Sequence, residues 1–470
     1  MSNWKEYRLG DCIEFIIDNR GKNPPLSNNG YELIETISIN SENKYPDYSK
    51  ISKFVSKDTY NNWFRKGHPK KGDILISTVG ANIGRVSIMN ENRGCIAQNL
   101  IGLRTDKEKL VPDYLYYFLI KKSTQHTLSS LNIGSAQPSI KVPHLLNILI
   151  NVPNIQRQEE IANILSSLDE KIELNTQINQ TLEQIAQALF KSWFVDFNPV
   201  RAKIQALSDG LNLEQAELAA MQAISGKTPE ELTALSQTQP DRYAELAETA
   251  KAFPYEMVEI DGVEVPRGWE CFSLKELSSV ISKGTTPKKS SLNSYDSKET
   301  VPFIKVKDIS ESGQVLINQV EQIPKKISST ELKRSILHKN DILISIAGTI
   351  GRVAIVPNEL ENANTNQAIS FIRLYNDNLV GIISTFLKSR KNQEDITSKV
   401  IQGVQANISL EVVRNIKIFL PINFDHKAIL IFNSLLNKQL LSQKENLLIE
   451  KSRDLLLPKL LSGDFSNGKN

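Results

Sequence analysis

The sequence predicts a mixed α/β protein that contains two copies of one α+β domain, each followed by a long helix. Two observations predict this fold class. The first is an internal repeat: Asp-Ile-Leu-Ile-Ser occurs at residues 73–77 and again at 341–345, and Ile-Gly-Arg-Val occurs at 83–86 and again at 350–353. The second is a run of apolar residues at heptad spacing near the end of each copy. Together they predict two similar working surfaces on one chain.

The composition is that of an ordinary globular protein. Of the 470 residues, 40% are hydrophobic and 23% are charged, and the formal net charge is +3. No apolar run approaches the roughly 18–20 residues that a bilayer-spanning helix needs, and the first residues lack the apolar core of a signal peptide. The 3 cysteines and 5 histidines are isolated in the sequence. This predicts neither disulfides nor a zinc site, and it favours the reducing cytoplasm.

Each copy begins with a short mixed segment and then reaches a loop that contains glycine and proline. These loops are residues 20–25 and 283–287, and their composition predicts surface backbone without regular structure. The Asp-Ile-Leu-Ile-Ser runs are short and β-branched, which predicts buried strands followed by tight turns. Residues 112–119 have Pro and Asp at a predicted helix start. Predicted strands at 148–152 and 416–420 each end at a proline.

After each of these prolines the sequence predicts a long helix. In the first copy the seam positions alternate steps of four and three, with two asparagines in the middle. They are Ile161, Leu165, Leu168, Ile172, Asn175, Asn179, Leu182, Ala186 and Leu189. The equivalent seam of the second copy is more polar and consists of Ile429, Asn433, Leu436, Leu440, Gln443, Leu447, Glu450, Asp454 and Leu457. A helix of roughly 40 residues at ~1.5 Å per residue is on the order of 60 Å long, more than one DNA turn of ~34 Å.

These elements divide the chain into five predicted segments. They are a first globular domain (1–153), a first spacer helix (154–198), a helical connector (199–264), a second globular domain (265–421) and a second spacer helix (422–470). Within the connector, Thr228, Pro229 and Glu231 have the spacing of a capping box and predict a helix start.

No catalytic constellation is convincing in the sequence. Residues 23–26 read Asn-Pro-Pro-Leu, which resembles the Asn-Pro-Pro-aromatic signature of adenine-N6 methyltransferases, but leucine replaces the aromatic and no glycine-rich turn for a methyl donor precedes it. Residues 225–228 read Ser-Gly-Lys-Thr, but Met221 stands where a phosphate-binding loop needs its first glycine. We interpret the first segment as a turn, and we place the second inside a helical connector rather than after a buried strand. A large duplicated chain of this kind is better explained as a binding and scaffolding protein.

These features together resemble the specificity subunits of type I restriction-modification systems. The resemblance is carried by the doubled strand and turn motifs, by the loops 134–140 and 403–408, by Pro-Asn-Ile-Gln-Arg-Gln-Glu-Glu at 153–160, and by residues 189–200. It spans essentially the whole chain. It departs at residues 423–426, where Asn-Phe-Asp-His replaces the Gln-Arg-Gln-Glu pattern that enters the first helix.

The resemblance implies two target-recognition domains that each read one half of a bipartite DNA sequence. It also implies that two long coiled-coil helices pack antiparallel and separate the domains, which a pseudo-two-fold axis would relate. The implied partners are double-stranded DNA, two modification subunits that methylate adenine with S-adenosylmethionine, and two restriction subunits that use ATP. The chain itself would then be no enzyme and would bind no cofactor.

We expect the DNA contacts to come from polar loops of both domains, with cations on phosphates and polar side chains on base edges. The expected contact residues are Arg20, Lys22, Arg85, Gln137, Lys283, Thr285, Lys288, Lys289, Arg352 and Gln405. Arg85 and Arg352 recur in domains that should read different sequences, which favours a structural or phosphate-directed role. For Gln137 and Gln405, a turn residue that bonds its own backbone is an equal alternative. The lysines between 283 and 307 are equally explained as a solvated loop.

Two other functions stay open at this point. A DNA methyltransferase would bind S-adenosylmethionine as an isolated chain. A protein-only adaptor, whose paired helices merely join two interaction modules, would add no sequence preference to a methyltransferase partner.

Overall fold

The structure is a computed structural model that describes residues 4–39, 43–80, 82–131, 139–294, 299–400 and 406–462. The chain forms two compact units. Unit 1 consists of residues 1–175 and 444–470, and unit 2 consists of residues 176–443. Each unit therefore contains one globular domain together with parts of both long helices.

The first domain, in unit 1, is built on a four-stranded antiparallel sheet with a smaller sheet beside it. The strand order in the large sheet is Ile13–Ile17, Leu100–Thr105, Ile74–Ser77 and Val86–Ile88. The order in the smaller sheet is Phe54–Val55, Tyr31–Ile34 and Cys95–Ile96, and Lys5–Arg8 pairs with Leu149–Val152. The α-helices of this domain are Lys57–Asn62, Pro112–Ile120, Lys122–Ser130 and Val142–Leu146. Short 3-10 helices are Leu9–Cys12, Thr36–Ser38 and Tyr48–Lys50.

The second domain, in unit 2, repeats this strand order. Its large sheet contains Ser278–Lys283, Ile369–Leu374, Ile342–Ser345 and Val353–Ile355. Its smaller sheet contains Glu321–Pro324, Thr300–Ile304 and Asn364–Thr365, and Trp269–Ser273 pairs with Lys417–Pro421. The α-helices are Leu274–Leu277, Lys289–Ser294, Lys325–Ser329, Val380–Lys388, Arg390–Ser398 and Leu410–Arg414. Short 3-10 helices are Val306–Asp308, Ile317–Gln319, Lys333–Ser335, Asn358–Leu360 and Asp377–Leu379. The predicted duplication of one mixed α/β domain is confirmed.

The repeated aspartate of the strand motif forms a buried ion pair in both domains. Asp73 accepts two hydrogen bonds from the guanidinium of Arg104, at 2.9 and 2.8 Å. Asp341 accepts two from Arg373, at 2.8 and 2.7 Å. The aspartate side chains are only 2% and 1% exposed, so each depends on its arginine for compensation. The motif is thus a folding signal rather than a catalytic one.

The two long helices are Ile155–Phe190 and Lys427–Ser462. The seam predicted for the first helix is confirmed, because all nine of its positions are buried or half-buried. In unit 1, Asp169 pairs with Arg453 at 2.8 Å, and the Asn175 amide donates to the side-chain oxygen of Asn446 at 2.8 Å. Between these two contacts the residue numbers rise along the first helix and fall along the second, so the helices are antiparallel in unit 1.

The two long helices are also antiparallel in unit 2. The Gln439 amide donates to the carbonyl oxygen of Asn179 at 3.3 Å, and the rings of Phe190 and Phe432 meet edge to face with centroids 6.4 Å apart. Asn179 itself is 5% exposed, and its side-chain amide has no hydrogen-bond partner within the described residues.

By the same measure, eight of the nine seam positions predicted for the second helix are buried or half-buried, and Asp454 is the exception. Contacts to the first helix are also made by four residues that the prediction left out, Phe432, Gln439, Asn446 and Arg453. The packing of the helix ends explains these contacts. Phe432 is buried in the core of the second domain and Leu460 in that of the first, which fixes the rotation of the helix about its axis. Asp454 consequently points outward, where its side chain is 44% exposed.

The connector follows a π-helical turn at Lys191–Val195 and is mainly helical, as expected. Its helices are Asn198–Ser208, Leu213–Ser225, Pro229–Thr238 and Pro240–Ala252, and it ends in a hairpin of Met257–Ile260 and Val263–Pro266. The predicted capping box is confirmed, because Thr228 accepts from Glu231 and Glu231 accepts from Thr228. Lys227 lies between two of these helices and does not follow a strand, as expected for a lysine inside a helical connector.

A buried lysine holds the connector together. The Lys203 ammonium donates to the carbonyl oxygen of Phe253 at 2.6 Å and lies 4.0 Å from the ring centroid of Tyr255. Burial lowers the pKa of this ammonium to about 8. In the described part of the chain, no helix is long and apolar enough to cross a membrane.

Replacing Asp73 by alanine should strongly destabilise the first domain, because it leaves the Arg104 guanidinium without its buried partner. Breaking such a pair costs about 3–5 kcal/mol. Thermal denaturation of the purified chain measures this. Asp106→Ala, which removes a half-buried carboxylate at the surface that is paired with Lys109, is the control and should leave the melting temperature nearly unchanged. Equal effects of the two substitutions would contradict the structural role of Asp73.

Candidate nucleic-acid interface

The strand register brings the predicted loops of the second domain to one end of its large sheet. Lys283 pairs with Ser370, and Ser345 pairs with Ile369. Three strand termini therefore meet at this end, and the loops 284–288, 346–352 and 366–368 leave from it. We call these three loops loop end 2.

The first domain has the same arrangement. Ile17 pairs with Gly102, and Ser77 pairs with Leu100. The loops 18–26, 78–85 and 97–99 leave from this end of the sheet, and we call them loop end 1. Residues that are distant in sequence thus share one surface in each domain.

Gln137 and Gln405 lie outside the described residues, but the residues that follow shortly after each of them are described. The Ile140 amide donates to the carbonyl oxygen of Thr78 at 2.9 Å. The Ile408 amide donates to that of Ile346, also at 2.9 Å. Ile140 and Ile408 therefore border loop ends 1 and 2.

Five of the ten expected contact residues are exposed. The exposed ones are Lys22, Lys283, Thr285, Lys288 and Lys289. Arg20 is different, because its guanidinium makes two hydrogen bonds of 2.7 Å to Asp18. These bonds hold the pKa of the Asp18 carboxyl below its usual value. Arg20 therefore presents a partly neutralised charge.

Arg85 and Arg352 support a loop in each domain. Arg352 donates to the carbonyl oxygen of Ile309 at 2.6 Å, and Arg85 donates to that of Ile39 at 3.5 Å. Ile39 and Ile309 each follow a 3-10 helix at the equivalent place. A guanidinium that satisfies a buried carbonyl supports the structural interpretation of these two residues.

Gly284 is needed for close approach. Its amide donates to the carbonyl oxygen of Ile369 at 3.0 Å, and the next amide, of Thr285, donates to that of Thr365 at 2.9 Å. A Cβ atom at 284 would clash with the carbonyl oxygens of Thr365 and Asn366. From the sequence alone, Gly284 was predicted only to lie in a surface loop.

Sequence reasoning missed one loop at each end. Gln98 in loop end 1 corresponds to Gln367 in loop end 2, because each stands two residues before the strand residue that pairs with the repeated serine, Leu100 with Ser77 and Ile369 with Ser345. The Thr286 hydroxyl donates to the Gln367 side chain. Side-chain amides at such a surface can bond base edges. The internal repeat was the signal that could have found this glutamine, because it recurs in both copies just before the equivalent strand.

The two ends carry different chemistry beside this shared framework. At loop end 2, Lys305 and Lys307 share Glu321 at 2.6 and 3.0 Å and line an open cavity of about 370 Å³. At the equivalent place in the first domain, Glu35 pairs with Lys53 at 2.8 Å. The position that holds a cation in one domain thus holds an anion in the other.

Comparisons with known proteins agree on one family. A family model described as type I restriction modification DNA specificity domain matches residues 1–184 and 266–451. The specificity subunit of the type I restriction enzyme HindI from Haemophilus influenzae is 39% identical over 485 aligned positions, covering 99% of this chain and 100% of that protein. The MjaIX specificity subunit from Methanocaldococcus jannaschii is 25% identical over 84% of this chain and 78% of its own length.

A solved structure has the same fold. It is the S subunit of a type I restriction-modification system from M. genitalium, with a TM-score of 0.51 and 18% identity over 98% of this chain and 96% of that one.

Substituting Gly284 by alanine should open loop end 2, because the added methyl group clashes with the backbone at 365–366. We expect the amides of residues 284 and 285 to lose protection in hydrogen–deuterium exchange, and the melting temperature to fall. Thr286→Ala in the same loop, which adds no atoms, should leave both amides protected. Full protection in the Gly284→Ala variant would show that the close approach is not required.

Proposed function

The chain belongs to the family of type I restriction-modification DNA specificity subunits, and from this premise we propose that each of its domains reads one half of a bipartite DNA target. The observation that carries the proposal is the pair of loop ends. Each is built on the same strand order, yet Lys305 and Lys307 occupy one and Glu35 the other. Two like frameworks with unlike side chains suit a target whose halves differ in sequence.

The expected contact residues divide by chemistry. We assign Lys22, Lys283, Lys288 and Lys289 to phosphates, because exposed ammonium groups bind backbone charge without reading sequence. We assign Thr285, Gln137 and Gln405 to base edges, because hydroxyl and amide groups can form hydrogen bonds with base edges in the major groove. Arg20 would reach a phosphate only by sharing its charge with Asp18.

The helix pair completes the proposal. The antiparallel helices would set the distance between half-sites and provide the surface on which two modification and two restriction subunits dock. The adenine-N6 methyl transfer, with S-adenosylmethionine, and the ATP-dependent steps would belong to those subunits. Arg85 and Arg352 would hold loops in place. The complex would act in the cytoplasm, where its DNA target lies.

The competing functions make different demands. A methyltransferase acting alone would need a donor site, and the Asn-Pro-Pro-Leu segment at 23–26 lies in an irregular loop of loop end 1. Isothermal titration of the isolated chain with S-adenosylmethionine should give no binding heat, and a micromolar site would favour that alternative. A protein-only adaptor would leave the methylated sequence independent of this chain.

Exchanging residues 1–153 for the matching domain of a relative with a different target should change one half of the methylated motif and keep the other. Sequencing of N6-methyladenine in cells that carry the hybrid measures this. The reciprocal exchange of residues 265–421 is the matched control and should change the opposite half. A hybrid that alters both halves, or neither, would contradict independent reading by the two domains.

A further inference from the structure

Each domain displays an adjacent pair of exposed cations to which the proposed function assigns no role. The pairs are Arg65 with Lys66 in the first domain and Lys333 with Arg334 in the second. They are equivalent by position (333 − 65 = 268), the offset that also relates the repeated strand motifs. The two copies keep both charges but exchange the order of arginine and lysine. Such a position needs positive charge and not one particular side-chain geometry.

A buried residue anchors each pair. Phe64 is 6% exposed and Leu332 is 1% exposed, and each packs into the small core beside the three-stranded sheet of its own domain. The two residues that follow are consequently held at the surface with their chain direction fixed.

In the first domain the pair lies beside loop end 1. The Asn19 side chain accepts a hydrogen bond from the Lys66 amide at 3.2 Å and donates one to the carbonyl oxygen of Gly67 at 3.1 Å. Asn19 stands two residues after the strand Ile13–Ile17, inside the loop 18–26 of loop end 1. One amide side chain therefore ties the cationic segment to that loop.

In the second domain the connection uses different atoms. The buried Asn364 amide donates to the carbonyl oxygen of Leu332 at 3.1 Å. The next residue, Thr365, accepts from the amide of Thr285 in loop end 2 at 2.9 Å. These two hydrogen bonds place the segment with Lys333 and Arg334 near loop end 2, as Asn19 places the segment with Arg65 and Lys66 near loop end 1.

Several nearby cations are already neutralised within their own domains. Arg20 pairs with Asp18, Lys53 with Glu35, and Lys305 with Glu321. By contrast, none of the four side chains of the two pairs has an ion-pair partner among the residues that the structure describes. Lys66 helps to lower the pKa of the Asp18 carboxyl but forms no ion pair with it, so the charge of both pairs is available to an external anion.

We infer that the two pairs are phosphate clamps that grip the DNA backbone beside the half-site read by the same domain. The inference rests on the proposed function and extends it. Domains that read different sequences meet the same sugar-phosphate chain, so charge kept in both copies with exchanged residue types fits phosphates rather than bases. The clamps would add affinity and leave the base preference to the loop ends.

The test uses the full chain in complex with its modification subunits. Binding of a duplex with the methylated motif, and of a duplex without it, is measured from about 50 to 200 mM salt. In the double variant Arg65→Gln with Lys66→Gln, the salt slope of affinity should fall by about 1.8, since each lost phosphate contact removes ~0.9. The ratio between the two duplexes should stay unchanged. The double variant Lys333→Gln with Arg334→Gln should lower the salt slope by the same amount and also leave the ratio unchanged.

Two matched variants serve as controls. Arg65→Lys with Lys66→Arg copies the order of the second domain and should keep the wild-type slope. Lys107→Gln with Lys109→Gln removes two exposed charges at the opposite end of the same sheet and should also keep it. All variants should melt at the wild-type temperature, because the replaced side chains are exposed.

The outcomes separate the two claims. A wild-type complex without preference for the motif overturns the proposed function and this inference with it. A specific wild-type complex whose pair variants keep the full salt slope overturns the inference alone. It is also overturned if the variants lose the modification subunits instead of DNA affinity, since the pairs would then bind an acidic protein surface.

Discussion

The structure depends on one packing constraint: each globular domain is completed by the end of the helix that follows the other domain. In unit 1, Leu457, Leu460 and Leu461 are buried in the core of the first domain. In unit 2, Phe190 and Trp193 are buried in that of the second. Burying one such side chain contributes roughly 1.5–3 kcal/mol. Detaching a helix end would therefore expose part of a domain core, and this cost is what would make a fixed spacer possible.

The polar middle of the helix pair gives this spacer its register. Apolar seams tolerate sliding, whereas a buried amide pair fits in only one alignment. Asn175 bonds both Glu445 and Asn446, and Asp169 bonds Arg453, so that a shifted register would leave buried polar groups unpaired. Apolar ends would then provide the free energy, and polar central contacts would fix the alignment.

Much of the fold could be predicted because the sequence contains two copies of one domain and spaces the seam residues of each long helix periodically. The internal repeat predicted two domains of one architecture, and heptad spacing predicted the first helix seam residue by residue. In the second helix, the contacts of Gln439, Asn446 and Arg453 with the first helix could not be predicted, because packing of Phe432 and Leu460 against different cores sets the rotation of the helix. Likewise, the loops were predicted as separate segments, but only the register of Ser77 with Leu100 and Ser345 with Ile369 shows that they converge. Convergence is a property of strand pairing, which composition does not encode.

The most direct test of the central claim is the length of the gap in the methylated motif after one heptad is deleted from both helices. Residues 172–178 and 443–449 are centred on Asn175 and Asn446, which contact each other, so their joint removal keeps the seam in phase. Seven residues at ~1.5 Å each shorten a helix by about 10 Å, or about three base pairs at ~3.4 Å. We expect a gap shorter by about three base pairs with both half-sites intact. An unchanged gap with both half-sites still methylated would contradict it.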